Sequence, residues 1–514
     1  MIFNKIKRVN LKWYKLSILV SMACLIQIEH LYGQKDDRPN IIFIMSDDHA
    51  YQAISAYGSG LNQTPNIDRI ADQGALFTRG YVTNSICAPS RAVLLTGKHS
   101  FKNGMLGNGT HYDWDQQNFA KILQRNGYET ALIGKIHLDG RPQGFDYHAV
   151  LPGQGVYYNP EFIINGEREK IEGYVTEITT DLTLKWLDNY DGKQPFCLLY
   201  HQKAPHRNWM PAMEYLDLYK DTTFTPPGNY FDNYESRGPA AKQQKMQVAR
   251  DMFWGWDLKC LVNPSGDSTD IMKYKVQFTD EQWRQWQAGY TDENQELLNA
   301  GLDERGLALW KYNRYIKDYL RCVKSVDDGV GRVLDYLDEH GLAENTIVVY
   351  TSDQGFYLGE HGWFDKRFMY EESFRTPIMI RYPKEIKKGT VVDELVQNLD
   401  FAPTFLDYAG IEIPDDMQGL SLRKLAKGDT SNWRDAIYYT YYEYPGGHNV
   451  MPHKGILTSR YKLIHFYQID EWEMYDLKQD PNEMNNVYGH VEYLDQQTLL
   501  HKWLNELKNE YGDL

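Results

Sequence analysis

The chain has 514 residues, of which 42% are hydrophobic and 24% charged, the composition of an ordinary globular protein with a sizeable core. That composition excludes a disordered chain and an integral membrane protein. The formal net charge of −15 argues against nucleic-acid binding through a basic surface, so an anionic ligand would need a locally positive pocket.

The first 33 residues have the pattern of a secretory signal peptide. Basic residues are concentrated between Lys5 and Lys15, and the apolar run from Leu16 to Ile28 is too short to span a bilayer comfortably. We therefore expect residues 1–33 to be cleaved and the protein to be secreted or periplasmic, without a stable membrane span. Lipid attachment at Cys24 is the alternative, but a polar residue three positions earlier makes ordinary cleavage the better interpretation.

The cysteines give no disulfide framework. Besides Cys24 and Cys87, the chain has three dispersed cysteines, Cys197, Cys260 and Cys322, too few for a disulfide-stapled fold of this size. A single bridge remains open. No Cys/His cluster suggests a zinc site.

Strand and helix patterns alternate along most of the chain. A continuous β-branched run from Asn40 to Met45 is typical of a strand buried on both faces of a parallel sheet, and the run from Thr346 to Thr351 repeats it. The alternation between these runs predicts a doubly wound α/β fold. The predicted helices are 65–73, 119–126 and 307–340, and the other predicted strands are 130–136 and 196–200.

Two regions depart from this alternation. Residues 207–299 are aromatic, polar and weakly periodic, which predicts an insertion over the sheet edge. Residues 437–444 and 461–467 have the pattern of antiparallel strands, and 499–511 that of a closing helix. We therefore expect a large α/β domain at 34–430 and a smaller subdomain at 431–514.

Both buried strands end in acidic or amide residues. Asp47 and Asp48 follow the first strand, and Asp353 and Gln354 follow its later repeat. Because ligands bind at the carboxyl ends of parallel strands, these four side chains should converge. Oxygen ligands select a hard cation, Ca²⁺ or Mg²⁺, over zinc or copper. Acidic residues after strands are often helix N-caps instead, and the repeated pattern is what favours a metal site.

The most specific motif lies between these strands, in Cys87-Ala-Pro-Ser-Arg91 followed by Leu95-Thr-Gly97 and Lys98. A single cysteine before a helix is more often a buried small side chain. The complete run, however, resembles the signature Cys-X-Pro-Ser-Arg-X-X-X-Leu-Thr-Gly of the type I sulfatases. This resemblance implies that a formylglycine-generating maturation enzyme oxidises Cys87, and that the formylglycine hydrate attacks sulfur beside one divalent cation, with Ca²⁺ expected.

Further matches extend the resemblance over nearly the whole mature chain. In the family, a lysine like Lys135 binds sulfate, a histidine like His137 helps to recycle the hydrate, and the lysine matching Lys366 bridges sulfate and leaving group. The segment that ends in His206 resembles the one whose histidine contacts the leaving oxygen. The implied catalytic residues are Cys87, Arg91, Lys98, Lys135, His137, His206 and Lys366, and the implied metal ligands are Asp47, Asp48, Cys87, Asp353 and Gln354. Gln354 departs from the family's usual Asn.

The resemblance also implies a fold and a substrate. The fold would be an alkaline-phosphatase-like α/β domain with a mostly parallel sheet between helices, plus a smaller C-terminal α+β subdomain with an antiparallel sheet. Residues 151–160 and 203–209 look most like the N-acetylglucosamine-6-sulfatase branch, which implies a sulfated oligosaccharide substrate carrying a 6-O-sulfate, from a glycosaminoglycan or a mucin-type glycan. The expected sugar contacts are His206, Arg207, Trp209, His448 and His453.

Other functions remain open from the sequence. A sulfatase acting at another sugar position would share every motif above. A phosphate or phosphonate esterase on the same scaffold would use the same cation and basic pocket. A catalytically inactive glycan-binding protein would keep an unmodified Cys87 thiol.

Overall fold

The computed structural model describes residues 37–513. The predicted signal peptide and Cys24 lie outside this range. Over the described residues a large sheet with helices on both faces is followed by a small antiparallel sheet. Within the same range, the search for helices that could cross a membrane finds none with the required length and hydropathy.

The strands are short and lie in four sheets. They are β1 (Asn40–Ser46), β2 (Ala75–Phe77), β3 (Gly80–Tyr81), β4 (Glu129–Lys135), β5 (Tyr147–Leu151), β6 (Glu161–Ile164), β7 (Glu167–Lys170), β8 (Phe196–His201), β9 (Thr346–Ser352), β10 (Tyr357–Leu358), β11 (Phe364–Asp365), β12 (Ile378–Arg381), β13 (Thr390–Val392), β14 (Val396–Gln397), β15 (Ala436–Tyr441), β16 (His453–Thr458), β17 (Tyr461–Phe466) and β18 (Glu471–Asp476).

The α-helices vary from single turns to one of 36 residues. They span Pro65–Asp72, Cys87–Thr96, Ser100–Asn103, Phe119–Arg125, Val175–Asp188, Pro239–Gln243, Val248–Asp251, Asp280–Ala300, Glu304–Glu339, Glu371–Phe374, Phe401–Tyr408, Arg423–Ala426 and Leu494–Tyr511.

The main sheet has ten strands in the order β13-β2-β12-β9-β1-β8-β4-β5-β6-β7. Its five central strands, β9, β1, β8, β4 and β5, are mutually parallel. Antiparallel pairs occur towards the edges, at β12 on one side and at β6 and β7 on the other. The expected parallel sheet therefore forms the centre of a larger mixed sheet.

The central strand β1 explains the continuous hydrophobic run in the sequence. Ile42 and Ile44 pack into the apolar cluster on one face of the sheet, whereas Ile41, Phe43 and Met45 pack into the cluster on the other. Side chains alternate across a strand, so a strand covered on both faces needs apolar residues at every position. The helix Glu304–Glu339 covers one face together with Val175–Asp188.

The structure differs from the sequence prediction in the 207–299 region. Its C-terminal end is a regular 21-residue helix, Asp280–Ala300, which begins with a capping box at Thr279. The helix packs through Tyr290, whose hydroxyl donates to Asp318 Oδ1 at 3.0 Å on the long helix. Polar residues dominate its exposed side, which weakened the apolar periodicity on which the prediction relied.

The small sheet near the C-terminus has four antiparallel strands in the order β15-β16-β17-β18. The two predicted strands correspond to β15 and β17, but they do not pair, because β16 lies between them. The helix Leu494–Tyr511 packs on this sheet through Leu500 and Leu504. The proposed domain boundary near residue 430 falls in the loop between Arg423–Ala426 and β15.

The four described cysteines, Cys87, Cys197, Cys260 and Cys322, are all buried and unpaired. The bridge that the sequence left open is therefore not formed within residues 37–513.

Candidate active site

Cys87 is the first residue of a helix, Cys87–Thr96, in which every residue is buried. The unpaired backbone N–H groups at a helix start favour negative charge nearby, so this position suits an anionic substrate. Ser90, one turn later, donates its hydroxyl to the backbone oxygen of Asp353 and also accepts from Asn398 Nδ2 at 2.8 Å. These bonds fix the start of the helix against the end of β9.

The parallel pairing of β1 and β9 brings the two acidic pairs together. Ser46 lies directly opposite Ser352, so the residues after them leave the sheet side by side. One carboxylate oxygen from each of Asp47, Asp48 and Asp353 lies within 4.8 Å of the others. Asp48 turns into this cluster through a left-handed backbone, with φ of 65°, and its N–H donates to Asp353 Oδ1 at 3.1 Å.

This cluster fits a hard divalent cation. All three carboxylates are buried, and buried carboxylates repel one another unless a positive charge lies between them. The amide nitrogen of Gln354 points into the cluster, donating to Asp353 Oδ1 at 2.8 Å and to Asp48, while its Oε1 is buried without a partner. A half-turn of the amide would turn Oε1 towards the same centre. The side chain of Gln354, although longer than the usual Asn, therefore reaches the carboxylate cluster, as the sequence predicted.

Three cationic side chains surround the carboxylates. Arg91 donates from Nε to Asp353 Oδ2 at 3.0 Å and from Nη1 to the backbone oxygen of Lys135 at 2.6 Å. Lys135 pairs with Asp47, and Lys366 contacts both oxygens of Asp48 at 2.6 and 2.7 Å. Arg91 thus holds two of the clustered carboxylates, while Lys135 and Lys366 bring positive charge to Asp47 and Asp48 respectively.

The charges in this cluster shift the titration of its members. Burial alone would raise the pKa of Asp47, but the charges of Lys135, His206 and Arg91 hold it well below its usual range. Burial, together with the charge of Asp47, raises the pKa of Asp353. Burial raises the pKa of the Cys87 thiol far above its ordinary value, so an unmodified Cys87 would be a poor nucleophile.

Both predicted catalytic histidines are affected by the charges of this cluster. Burial and the charge of Lys135 lower the pKa of His137 to about 2, and the same two causes hold the pKa of His206 well below its usual value. His206 Nδ1 lies 2.5 Å from the backbone oxygen of Arg207, which places the N–H on Nδ1. Its Nε2 lies 3.7 Å from Asp48 Oδ2, facing the cluster.

Cys87 lies at the base of a cavity of about 300 Å³. We call the group Asp47, Asp48, Cys87, Arg91, Lys135, Asp353, Gln354 and Lys366 the floor of the site. Of this group, Cys87 and Lys366 line the cavity. The other cavity-lining residues form the rim: Asn108, Gln154, Gly155, Val156, Tyr157, Lys203, His206, Arg207, Asn208, Trp256, Tyr274, Gln277, Asp365, Arg367 and His448.

The rim contains two charged networks of its own. Arg207 makes a two-point contact with Asp257, at 2.7 and 2.6 Å, and its guanidinium lies over the ring of Phe364. Arg367 donates from Nε to Asp365 Oδ1 at 3.0 Å, and His448 Nε2 lies 3.3 Å from Asp365 Oδ2. Arg207 and His448 therefore reach the cavity as predicted.

Three predicted site residues, Lys98, Trp209 and His453, neither line the cavity nor contact the carboxylate cluster. Lys98 lies past the far end of the Cys87–Thr96 helix and pairs with Asp416. Trp209 is fully buried against Tyr315 and Phe364, and so is a core residue. His453 is enclosed by aromatic rings of the C-terminal sheet. Lys98 and Trp209 were predicted because they adjoin motifs. The length of the helix carries Lys98 away from the site, and apolar burial keeps Trp209 in the core.

Sequence reasoning missed several cavity residues. Asp365 and Arg367 flank Lys366, and their backbones have positive φ angles of 74° and 100°, which turn the side chains towards the cavity. Lys203 lies three residues before His206, and Gln154 accepts from Lys135 Nζ. Gln154 and Lys203 fall inside the segments 151–160 and 203–209 that the sequence analysis singled out, and Asp365 and Arg367 adjoin Lys366, so their neighbourhood was a usable signal. Trp256 and Tyr274 come from the insertion, which carried no motif.

Comparisons with known proteins agree with this geometry. Residues 39–411 match the sulfatase family, and residues 359–510 match the C-terminal region of N-sulphoglucosamine sulphohydrolase. The chain is 48% identical to an N-acetylglucosamine-6-O-sulfatase of Bacteroides thetaiotaomicron, over 97% of this chain and 91% of the relative. It is 28% identical to an arylsulfatase of Clostridium perfringens, over 91% and 94% of the two chains.

A solved structure shares the fold throughout. It is a protein in complex with its substrate D-glucosamine-2-N,6-O-disulfate, with a TM-score of 0.90 and 49% identity, and the match covers 93% of this chain and 98% of that one. The family match covers well over half of the present chain, and the helix start, carboxylates and lysines have the arrangement expected of that family. The chain belongs to the sulfatase family and is a sulfuric ester hydrolase.

Proposed function

We propose that this sulfatase removes the 6-O-sulfate of N-acetylglucosamine units from a sulfated glycan. The placement of Cys87 carries the proposal, because its sulfur is buried at a helix start, beside three clustered carboxylates and at the base of a cavity of about 300 Å³. A space of that size suits one sugar ring with its substituents. The choice of sugar and position follows the relative that is 48% identical and is an N-acetylglucosamine-6-O-sulfatase.

Two groups complete the site in this proposal. Cys87 would be converted to formylglycine, and Asp47, Asp48, Asp353 and Gln354 would hold one Ca²⁺. When bound, the cation would activate the hydrated aldehyde at position 87 and neutralise sulfate oxygens. An oxygen-only donor set of mixed carboxylate and amide groups is the kind that Ca²⁺ accepts.

The lysines of the floor bind the sulfate in this scheme. Lys135 and Lys366 approach the carboxylate cluster from two sides, and both side chains are buried. Ammonium groups that are held in place before substrate arrives stabilise developing negative charge without reorganisation. Arg91 acts through the carboxylates and the Lys135 backbone, so it is a positioning residue.

His206 is placed to handle the proton of the leaving oxygen. Its Nδ1–H is held by the backbone oxygen of Arg207, which leaves the Nε2 lone pair on the side of the cluster. The imidazole must therefore gain a proton at Nε2 before it can donate that proton to the departing sugar oxygen. The approach of a negatively charged sulfate would favour that protonation. His137 lies beside Lys135 and stays available to accept a proton.

The proposal also covers export of the protein, maturation of Cys87 and contacts to the sugar. Residues 1–33 would direct secretion or export to the periplasm, and a maturation enzyme would act on the Cys87 motif. Arg207 and His448, on the rim, would contact the sugar.

Sulfate release tests the proposed substrate directly. Purified protein, with the state of residue 87 confirmed by peptide mass, is assayed on N-acetylglucosamine 6-sulfate, galactose 6-sulfate and a 2-O-sulfated uronate at equal concentration. We expect the first to be cleaved fastest, and faster cleavage of either other sugar would contradict the assignment. Matched phosphate and sulfate esters separate this function from that of a phosphate or phosphonate esterase.

The variant Cys87→Ala tests the nucleophile. We expect a loss of turnover of at least about 10³-fold, because no other group can replace it. Cys197→Ala is the matched control, since Cys197 is buried in the apolar cluster on one face of the main sheet and should leave the rate intact. Full activity of the Cys87→Ala protein would exclude the mechanism.

A further inference from the structure

Lys203 is a buried lysine that lines the cavity without a charged partner. It follows β8, three residues before His206, and its side chain is only 3% exposed. Its ammonium lies 4.8 Å from the centre of the Tyr157 ring. Within residues 37–513, no hydrogen-bond acceptor and no carboxylate within 4 Å belongs to this ammonium.

The other cations of the cavity differ in this respect. Lys366 contacts Asp48, Arg207 contacts Asp257, and Arg367 contacts both Asp365 and Glu443. Each of these charges is already compensated by a carboxylate of the protein. Among the lysines and arginines that line the described cavity, Lys203 is the exception.

An uncompensated buried ammonium costs free energy. Burial, and next the charge of Lys135, lower the pKa of Lys203 to about 7. The face of an aromatic ring offsets only part of the lost hydration. Replacing such a residue by an apolar one of similar volume usually stabilises a fold, so its presence here needs a partner that arrives from outside.

We propose that Lys203 binds a sulfate oxygen of the substrate and thereby determines affinity for it. The inference rests on the proposed function and adds a substrate-binding residue to it. The sulfate has two possible sources, which are the group being removed and a second sulfate on the same sugar. A second sulfate is a real possibility, because the solved relative was studied with a substrate that carries two.

The test compares wild type with Lys203→Met in the metal-loaded, formylglycine-containing enzyme. The substrates are N-acetylglucosamine 6-sulfate and D-glucosamine-2-N,6-O-disulfate. Loss of a charge-assisted hydrogen bond should raise KM or lower kcat/KM about ten- to a hundredfold. An equal loss on both substrates assigns Lys203 to the sulfate that is removed, whereas a loss confined to the disulfate assigns it to the second sulfate. Unchanged kinetics on both substrates would overturn the proposal.

The melting temperature of the ligand-free protein gives an independent test, because removal of a lysine with a purely structural role would lower it. Without ligand, Lys203→Met should melt at or above the temperature of wild type, because an unpaired buried charge is removed. Lys317→Met is the matched control, since Lys317 is buried but donates to the Lys220 backbone oxygen at 3.1 Å outside the cavity. That variant should melt lower and keep the wild-type KM. A large drop in Tm for Lys203→Met, repeated in Lys203→Gln, would count against the proposal.

Inorganic sulfate separates failure of this inference from failure of the proposed function. If the wild-type enzyme cleaves neither sugar, the substrate assignment is wrong, but the binding of Lys203 to a sulfate oxygen can still be measured. Wild-type Tm should then rise with added sodium sulfate relative to sodium chloride, and the rise should be smaller in Lys203→Met. Equal shifts in both proteins would refute the role of Lys203.

Discussion

The floor and the rim of the cavity are built in different ways. Floor side chains lie at or just after the ends of β1, β4 and β9 or in the first half of the Cys87–Thr96 helix, with Lys366 added from the loop after β11. They are buried, and their charges compensate one another. The rim comes from the loops after β5 and β8, from the end of β11 and the residue after Lys366, from Asn108, from the 207–299 insertion and from the C-terminal unit. A scaffold of strand ends fixes the chemistry, and loops carried by that scaffold select the substrate.

The largest effect is expected from a change in the floor. Asp353→Asn keeps the shape of the side chain but removes the charge of a proposed metal ligand and of a partner of Arg91. We expect loss of the bound cation and a fall in kcat of about a hundredfold or more. Metal content by elemental analysis and sulfate release are the measurements.

Asp327→Asn is the control for this change. Asp327 is equally buried but accepts from the N–H groups of Asn66 and Ile67, at the start of a helix remote from the floor. The Asp327→Asn protein should have a lower free energy of unfolding but the wild-type metal content and kcat. An Asp353→Asn protein with full metal content and full rate would show that the floor is no metal site.

Cation affinity should depend on pH. The pKa of Asp353 is raised by burial and by Asp47, so the metal-free folded protein keeps a proton that the unfolded chain has already lost. Stability of the metal-free protein should therefore fall as pH rises above the ordinary aspartate range, and calcium must displace the proton. The Kd for Ca²⁺ should rise by up to about tenfold per unit as pH falls below the raised pKa.

Calorimetric titrations with calcium at several pH values measure this dependence. In Asp353→Asn the pH slope of metal-free stability should be smaller. A constant affinity across the range would mean that the three carboxylates are ionised together even without a cation.

Rim changes should act on substrate affinity. His448→Ala removes a cavity-lining imidazole that lies 3.3 Å from Asp365, and we expect KM to rise about tenfold with little change in kcat. His453→Ala is the matched control, because His453 is packed among aromatic rings outside the cavity and should affect Tm only. A raised KM in His453→Ala, with an unchanged KM in His448→Ala, would show that the rim has been assigned to the wrong histidine.

The smallest effect is expected at Lys98. Its ion pair with Asp416 is partly exposed, with 58% of the Asp416 side chain accessible. Lys98→Ala should therefore lower the free energy of unfolding by at most about 1 kcal/mol and leave kcat/KM unchanged. Steady-state kinetics and denaturant unfolding test this, and a tenfold loss of rate would restore Lys98 to the catalytic set.

Sequence patterns predicted the floor well because its position follows from local rules. A continuous apolar run specifies a strand buried on both faces, and parallel neighbours place their carboxyl ends at one edge. Asp47 and Asp353 could therefore be predicted to meet. The pattern was less informative for the Asp280–Ala300 helix, whose exposed side is polar, and for β16, a strand that was not predicted and that lies between the two strands that were.

The amino-acid sequence by itself determined the family, the cysteine of the family motif and the residues that gather around it, because a motif records residue type and spacing. Only the tertiary structure decided which neighbours of those motifs face the cavity. Trp209 turned inwards because apolar burial outweighs adjacency to His206, whereas Asp365 and Arg367 turned towards the cavity through left-handed backbones. The lack of a carboxylate partner for Lys203 is likewise a consequence of tertiary packing, because it depends on which carboxylates lie near its ammonium and not on the order of residues along the chain.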